Sequence, residues 1–78
     1  MELTPNQLEQ IRKQYRLSPR ETQIVDLILR GYDSNAEIAL VLDITDGTAK
    51  QYVHDLYGKT QTSSKLRLAL KIINSIHE

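Results

Sequence analysis

Apolar side chains recur along this chain at intervals of three and four residues, and the pattern restarts several times after a hydroxyl residue. Leu8, Ile11 and Tyr15 share one stripe within 5–16. Ile24, Leu27 and Ile28, widened by Val25, share another within 19–30. A short run at 35–42 holds Ile38, Ala39, Val41 and Leu42 and is so apolar that it is expected to be a buried helix. No window alternates with period two for long enough to make a strand, so the expected class is all-α, with five helices in one domain.

The helix starts are written in capping chemistry. "TPNQ" at 4–7 places Thr4 at the cap, Pro5 at the first helical position and Gln7 three residues past the cap. "SPRE" at 18–21 repeats this with Ser18, Pro19 and Glu21, and "SNAE" at 34–37 offers Ser34 with Glu37. In each, a hydroxyl can accept from an orphan backbone N–H while the amide or acid reaches back to the cap. Gly31 fits a left-handed position after the second helix. The third helix ends at Asp43, Thr45 caps the fourth over 46–60, and a last helix starts at Ser63 or Ser64 and runs to about Ser75. The short third helix, tight turn and longer fourth helix have the spacing of a helix-turn-helix.

Composition then narrows the chemistry. Seventy-eight residues make one domain, near the low end of what folds without staples. There is no cysteine, and the histidines are His54 and His77, which removes a structural zinc cluster; no metal or other cofactor is expected. No apolar run is long enough to span a membrane and no signal-peptide core opens the chain, so the expected setting is soluble and cytoplasmic. Ten basic and ten acidic residues balance, but unevenly: residues 1–17 carry +1, residues 18–45 carry −3 and residues 46–78 carry +2. Even "DITDGTAKQYVHDLYGK" at 43–59 has its cations Lys50 and Lys59 offset by Asp46 and Asp55 within 46–60.

From Leu17 onward the chain resembles the LuxR/GerE-type helix-turn-helix domain of bacterial transcription regulators. The residues that carry the likeness are "LSPRE" (17–21), "ILRGYDSNAEIA" (28–39), "LDITDGTAK" (42–50) and "YVHDLYGK" (52–59), in the family's order and spacing. The resemblance implies four helices over 17–78, with 46–60 reading the major groove of double-stranded DNA and the last helix commonly dimerising. Residues 1–16 fall outside the pattern, as an extra short N-terminal helix or a linker remnant. The family is a binding family, and His54 beside Asp55 has no nucleophile with it, so no enzymatic activity is expected.

On a helical wheel of 46–60, Ala49, Val53, Leu56 and Thr60 face inward with Tyr52 and Tyr57 flanking them, while Gly47, Gln51, His54, Asp55 and Gly58 face out with Thr48 and Lys50 on the borders. By the likeness, Lys50, Gln51 and His54 match base-reading positions, and Thr48 and Lys59 match phosphate contacts. The chemistry is apt, since Lys donates to guanine O6/N7 and Gln pairs with adenine N6/N7. Bland readings stand beside these: Lys50 and Gln51 as solvated helix residues, Thr48 as a helix starter, and Asp55 as the partner of Lys59 in an i,i+4 ion pair. Three departures from the family pattern weaken the phosphate grip: Ala36 where Lys is frequent, Asp55 where a neutral or basic residue is usual, and Gly58 where Arg or Lys is usual.

In the last helix, Leu66, Ala69, Leu70, Ile73 and Ile76 are expected to cover the core. Leu68 and Ile72, on another side, are then the expected contacts of a two-fold homodimer, bordered by Lys65, Arg67 and Lys71. Two other readings stand beside this one. One is a protein-interaction module with the same fold that pairs with RNA polymerase or another regulator through the acidic middle or the last helix, its DNA binding weakened or lost. The other is a sigma region 4-like promoter-binding domain.

Overall fold

A computed structural model describes residues 1–76. Within them the order is α1 (Pro5–Tyr15), α2 (Pro19–Leu29), α3 (Asn35–Leu42), α4 (Asp46–Thr60) and α5 (Lys65–Ile76). Both proline-led capping boxes close reciprocally. Thr4 Oγ1 accepts from the Gln7 N–H while Gln7 Oε1 accepts from the Thr4 N–H. Ser18 and Glu21 repeat the exchange. The third box closes on one side only: Ser34 Oγ accepts from the Glu37 N–H, but its hydroxyl, not its backbone, meets the Glu37 carboxylate. Ser64 caps α5, accepting from the Arg67 N–H.

Helix ends use a device with no sequence signature. Arg16, Asp43 and Gln61, none of them glycine, each adopt φ between 55° and 57° after α1, α3 and α4. Gly31, at φ 106°, does the same after α2, one residue past the cap. There the Tyr32 N–H reaches back to the Leu27 carbonyl.

The core is one cluster to which all five helices contribute, with Ile11, Ile24, Ile38, Leu56, Leu68 and Ile72 fully buried. α1 packs on α2 and α5, and α4 packs on α3, α2 and α5. The N-terminal helix therefore shares the core rather than trailing from it. Leu3 and Leu29 are buried as well. No helix among the described residues is long and apolar enough to cross a membrane.

Two expectations about faces are corrected. α3 is not a buried helix: Ile38 and Ala39 face in, but Leu40 is 83% and Val41 50% exposed. α3 packs chiefly on one neighbour, α4, and among the described residues its far side is left uncovered. In α5 the expectation fails for Leu68 and Ile72 on one side and for Leu66 and Leu70 on the other. Leu68 and Ile72, expected as dimer contacts, are fully buried in the chain's own core, while Leu66 and Leu70 are 71% and 52% exposed. Ala69, Ile73 and Ile76 pack half-buried against the core. Ser75, which shares the side of Leu68 and Ile72, donates to the Lys71 carbonyl and is hydrogen-bonded to the Tyr15 hydroxyl of α1, in agreement with this rotation of α5. A helix apolar on both sides cannot declare its inward face by periodicity alone.

This assignment of the α5 faces is testable by paired truncations. Leu68→Ala should lower the unfolding free energy by about 2–5 kcal/mol, whereas Leu66→Ala should stay within about 0.5 kcal/mol of wild type, both read from urea denaturation.

Candidate nucleic-acid interface

The turn between α3 and α4 is built from three local devices. Asp43 turns left-handed, the Ile44 N–H donates to the Ala39 carbonyl at 3.0 Å, and Ile44 packs half-buried on the core. Thr45 then caps α4. Its Oγ1 accepts from the Thr48 N–H at 3.1 Å and its hydroxyl donates to Thr48 Oγ1 at 2.9 Å. Thr48 is exposed, and its hydroxyl already takes part in starting the helix.

α4 divides along its length as its periodicity predicts. Ala49, Val53, Leu56 and Thr60 are buried, Tyr52 and Tyr57 are half-buried, and Gly47, Thr48, Lys50, Gln51, His54, Asp55 and Gly58 are exposed. Burial pushes the Tyr57 phenol above its ordinary pKa. A surface cleft of about 370 Å³ is lined by Gly47, Thr48, Gln51, Tyr52 and Asp55. A second, of about 170 Å³, is lined by Asn35, Lys50, Val53, His54, Tyr57 and Lys65. Lys50 and His54 thus line one cleft and Gln51 the other, on adjoining sides of α4.

Two side chains are engaged otherwise than expected. Lys59 does not pair with Asp55. Its Nζ donates to Glu21 Oε1 at 2.7 Å and to the Arg16 carbonyl at 3.0 Å. Asp55 instead accepts from Gln51 Nε2 at 3.0 Å. The physical reason is the competition for Lys59. Glu21 is a buried carboxylate with only 5% of its side chain exposed, and an ammonium there relieves a larger desolvation cost than a solvated i,i+4 partner does. Burial pushes the Glu21 carboxyl up, but the hydrogen bonds from Lys59 and the Ser18 backbone outweigh it and hold the group below its ordinary value.

Asn35 and Lys65 complete the smaller cleft and were not legible as members of it. Asn35 Oδ1 is buried there without a hydrogen-bond partner, and Lys65, half-buried at the start of α5, lines the same space as Lys50 and His54. Only the tertiary fold brings positions 35, 50, 54 and 65 together.

A capped helix set across a shorter one by a tight turn, with its polar side outward, defines a helix-turn-helix domain. The family model described as bacterial regulatory proteins, luxR family, matches residues 15–72, and the chain belongs to that family. Over 61 residues it is 39% identical to a putative HTH-type transcriptional regulator in the exeN 3′ region of Aeromonas salmonicida, covering 78% of this chain and 31% of that protein. Over 48 residues it is 44% identical to the response regulator protein TodT of Pseudomonas putida, covering 62% of this chain and 21% of that one. The chain thus spans about a third or less of the length of these relatives. No solved structure matches. The fold and the family match together make this a helix-turn-helix domain of that bacterial regulatory-protein family. The match begins at Tyr15, which leaves nearly all of α1 outside it.

The Glu21–Lys59 contact gives a pH signature. A carboxyl held below its unfolded pKa contributes stability above that value, about 4.3, and loses it as the pH falls through the folded one. Between pH 6 and pH 3 the unfolding free energy of wild type should therefore fall more steeply than that of Glu21→Gln. Lys59→Met, which strands the carboxylate, should cost about 1–3 kcal/mol at pH 7. Parallel slopes for wild type and Glu21→Gln would remove the contact from the stability account.

Proposed function

We propose that this domain binds duplex DNA in the cytoplasm through the outward side of α4, and that copies of the chain act together on their site. The observation that carries the reading is the exposure of Lys50, Gln51 and His54 on the first turns of α4, within a regulator family. Recognition helices present their N-terminal residues to base edges. Lys50 reads guanine and Gln51 reads adenine, the latter after exchanging its bond to Asp55 for one to a base. Thr48 lies at the edge of the groove.

The phosphate role expected of Lys59 passes to Lys65, because Lys59 is committed to Glu21. Lys65 shares the cleft of Lys50, His54 and Asn35. The surface through which copies meet is the exposed face of α5, Leu66 and Leu70, in place of Leu68 and Ile72. A second reading, a protein-interaction module, is favoured by one observation: Lys59 and Gln51 are both turned to partners within the chain.

Selection of bound sequences from a randomised duplex pool, followed by fluorescence anisotropy at low salt, separates the two. A preferred site should emerge. On it Lys50→Ala should weaken binding by about tenfold or more. Lys65→Ala should weaken all sequences alike and lower the salt slope by about 0.9 in log K per log salt. Gly58→Lys meets nothing within 4 Å of a new Cβ, so it should fold and tighten non-specific binding. No binding to any duplex, with Lys50→Ala indistinguishable from wild type, would leave the protein-interaction reading.

A further inference from the structure

A third surface cleft, of about 790 Å³, opens between the last turn of α1, the turn at 61–63 and one flank of α5. It lies apart from the outward side of α4. Lys65, which lines the cleft of Lys50 and His54, is the first residue of α5. At about 100° per residue, Arg67 and Lys71 come roughly 120–160° around the helix from it, and they line this other cleft instead.

Nine side chains border the space. Each can donate a hydrogen bond, none is acidic and none is aliphatic. Arg67 and Lys71 stand one helical turn apart, their Cβ atoms about 5–6 Å from each other. Neither takes part in an ion pair among the described residues. The two helices are tied together at the cleft, where the Tyr15 hydroxyl is hydrogen-bonded to Ser75. Helix ends count against the positive charge. α1 and α4 both finish beside the cleft, and each C-terminus is equivalent to about half a negative charge. Two full cations outweigh that sum, so the cleft is net positive.

The geometry points to a small phosphate monoester as the ligand of this cleft. A phosphate dianion takes the guanidinium as a two-pronged donor and the ammonium as a point charge, so one group satisfies both cations. A carboxylate carries a single charge and leaves one cation over. The volume falls within the roughly 300–1,000 Å³ of small-molecule sites and exceeds what a bare phosphate fills. The rest of the space is bordered by the Gln14 and Asn74 amides and the half-buried Tyr15 ring, which suit a polar organic portion. A protein segment is served less well, because no aliphatic pocket is present to seat an anchor side chain. The bound ester bridges α5 to α1, a helix almost wholly outside the family match.

Titration of the full chain, followed by amide chemical shifts in two-dimensional NMR, tests this. The probes are inorganic phosphate, glycerol phosphate and adenosine monophosphate, with glycerol and adenosine as the dephosphorylated counterparts. At least one ester should give saturable shifts centred on Gln14, Arg67, Lys71 and Asn74 at millimolar concentration or below, and its dephosphorylated form none. Arg67→Gln and Lys71→Gln should each lower that affinity about tenfold or more, with circular dichroism melts to show that both fold. Lys65→Gln, on the opposite flank of α5, should leave it unchanged. Absence of saturable shifts with either ester overturns the proposal. Equal affinity for ester and inorganic phosphate overturns it too, leaving a site for the free anion. Tighter binding of a tetraglutamate peptide than of any phosphate probe would assign the cleft to an acidic protein partner instead. Loss of duplex binding in Arg67→Gln equal to that in Lys65→Ala would assign the cations to the DNA backbone and remove the small-molecule site.

Discussion

Three helix ends converge on one ammonium. Lys59, in the last turn of α4, reaches the Glu21 carboxylate in the first turn of α2 and the Arg16 carbonyl just past α1. The same Glu21 oxygen also accepts from the Ser18 backbone at the α2 cap. A buried carboxylate is tolerable only when its charge is met and its lone pairs are used. That requirement holds the end of α4 over the start of α2, and an isotropic apolar contact could not select the register so narrowly. Thr60, the next residue, is buried and bonds to the Leu56 carbonyl and the Thr62 hydroxyl, so the polar anchoring continues to the α4 terminus.

The arrangement explains why the outward side of α4 is short of cations without being short of basic residues. Of its two lysines, Lys50 has no ion-pair partner among the described residues, while Lys59, though exposed, is tied to Glu21. One side chain cannot satisfy a buried acid and a phosphate at once. Lys65, contributed by a different helix, stands beside Lys50 and His54 instead. The positive edge of the site is therefore assembled across α4 and α5, and it depends on how those two helices pack.

Helix starts were nearly all legible because a start has a chemical signature: Thr4, Ser18, Ser34 and Thr45 each cap where their hydroxyls predict. Ends were less so, since Arg16, Asp43 and Gln61 turn left-handed with no glycine to announce it. The inward face of α4 could be read because apolar residues occupy one side only. That of α5 could not, because Leu66 and Leu70 oppose Leu68 and Ile72 with similar hydrophobicity, and packing against α1, α2 and α4 settles which side is buried. The outward positions Lys50, Gln51 and His54 were placed correctly by period and resemblance together. The partners of Lys59 and Gln51, and the inclusion of Asn35 and Lys65, depend on contacts between distant segments that no local pattern encodes.

The pairing of Lys59 with Glu21 has a bearing on how such a domain would search a genome. Non-specific attraction to DNA is almost wholly a matter of phosphate charge, and it sets how long a regulator lingers on irrelevant sequence. A groove-reading helix with its rear cation occupied spends less of its time on decoys. Its free pool is correspondingly larger, and discrimination falls to the few base contacts at the front of the helix. Reduced grip then becomes a means of keeping a small number of copies available.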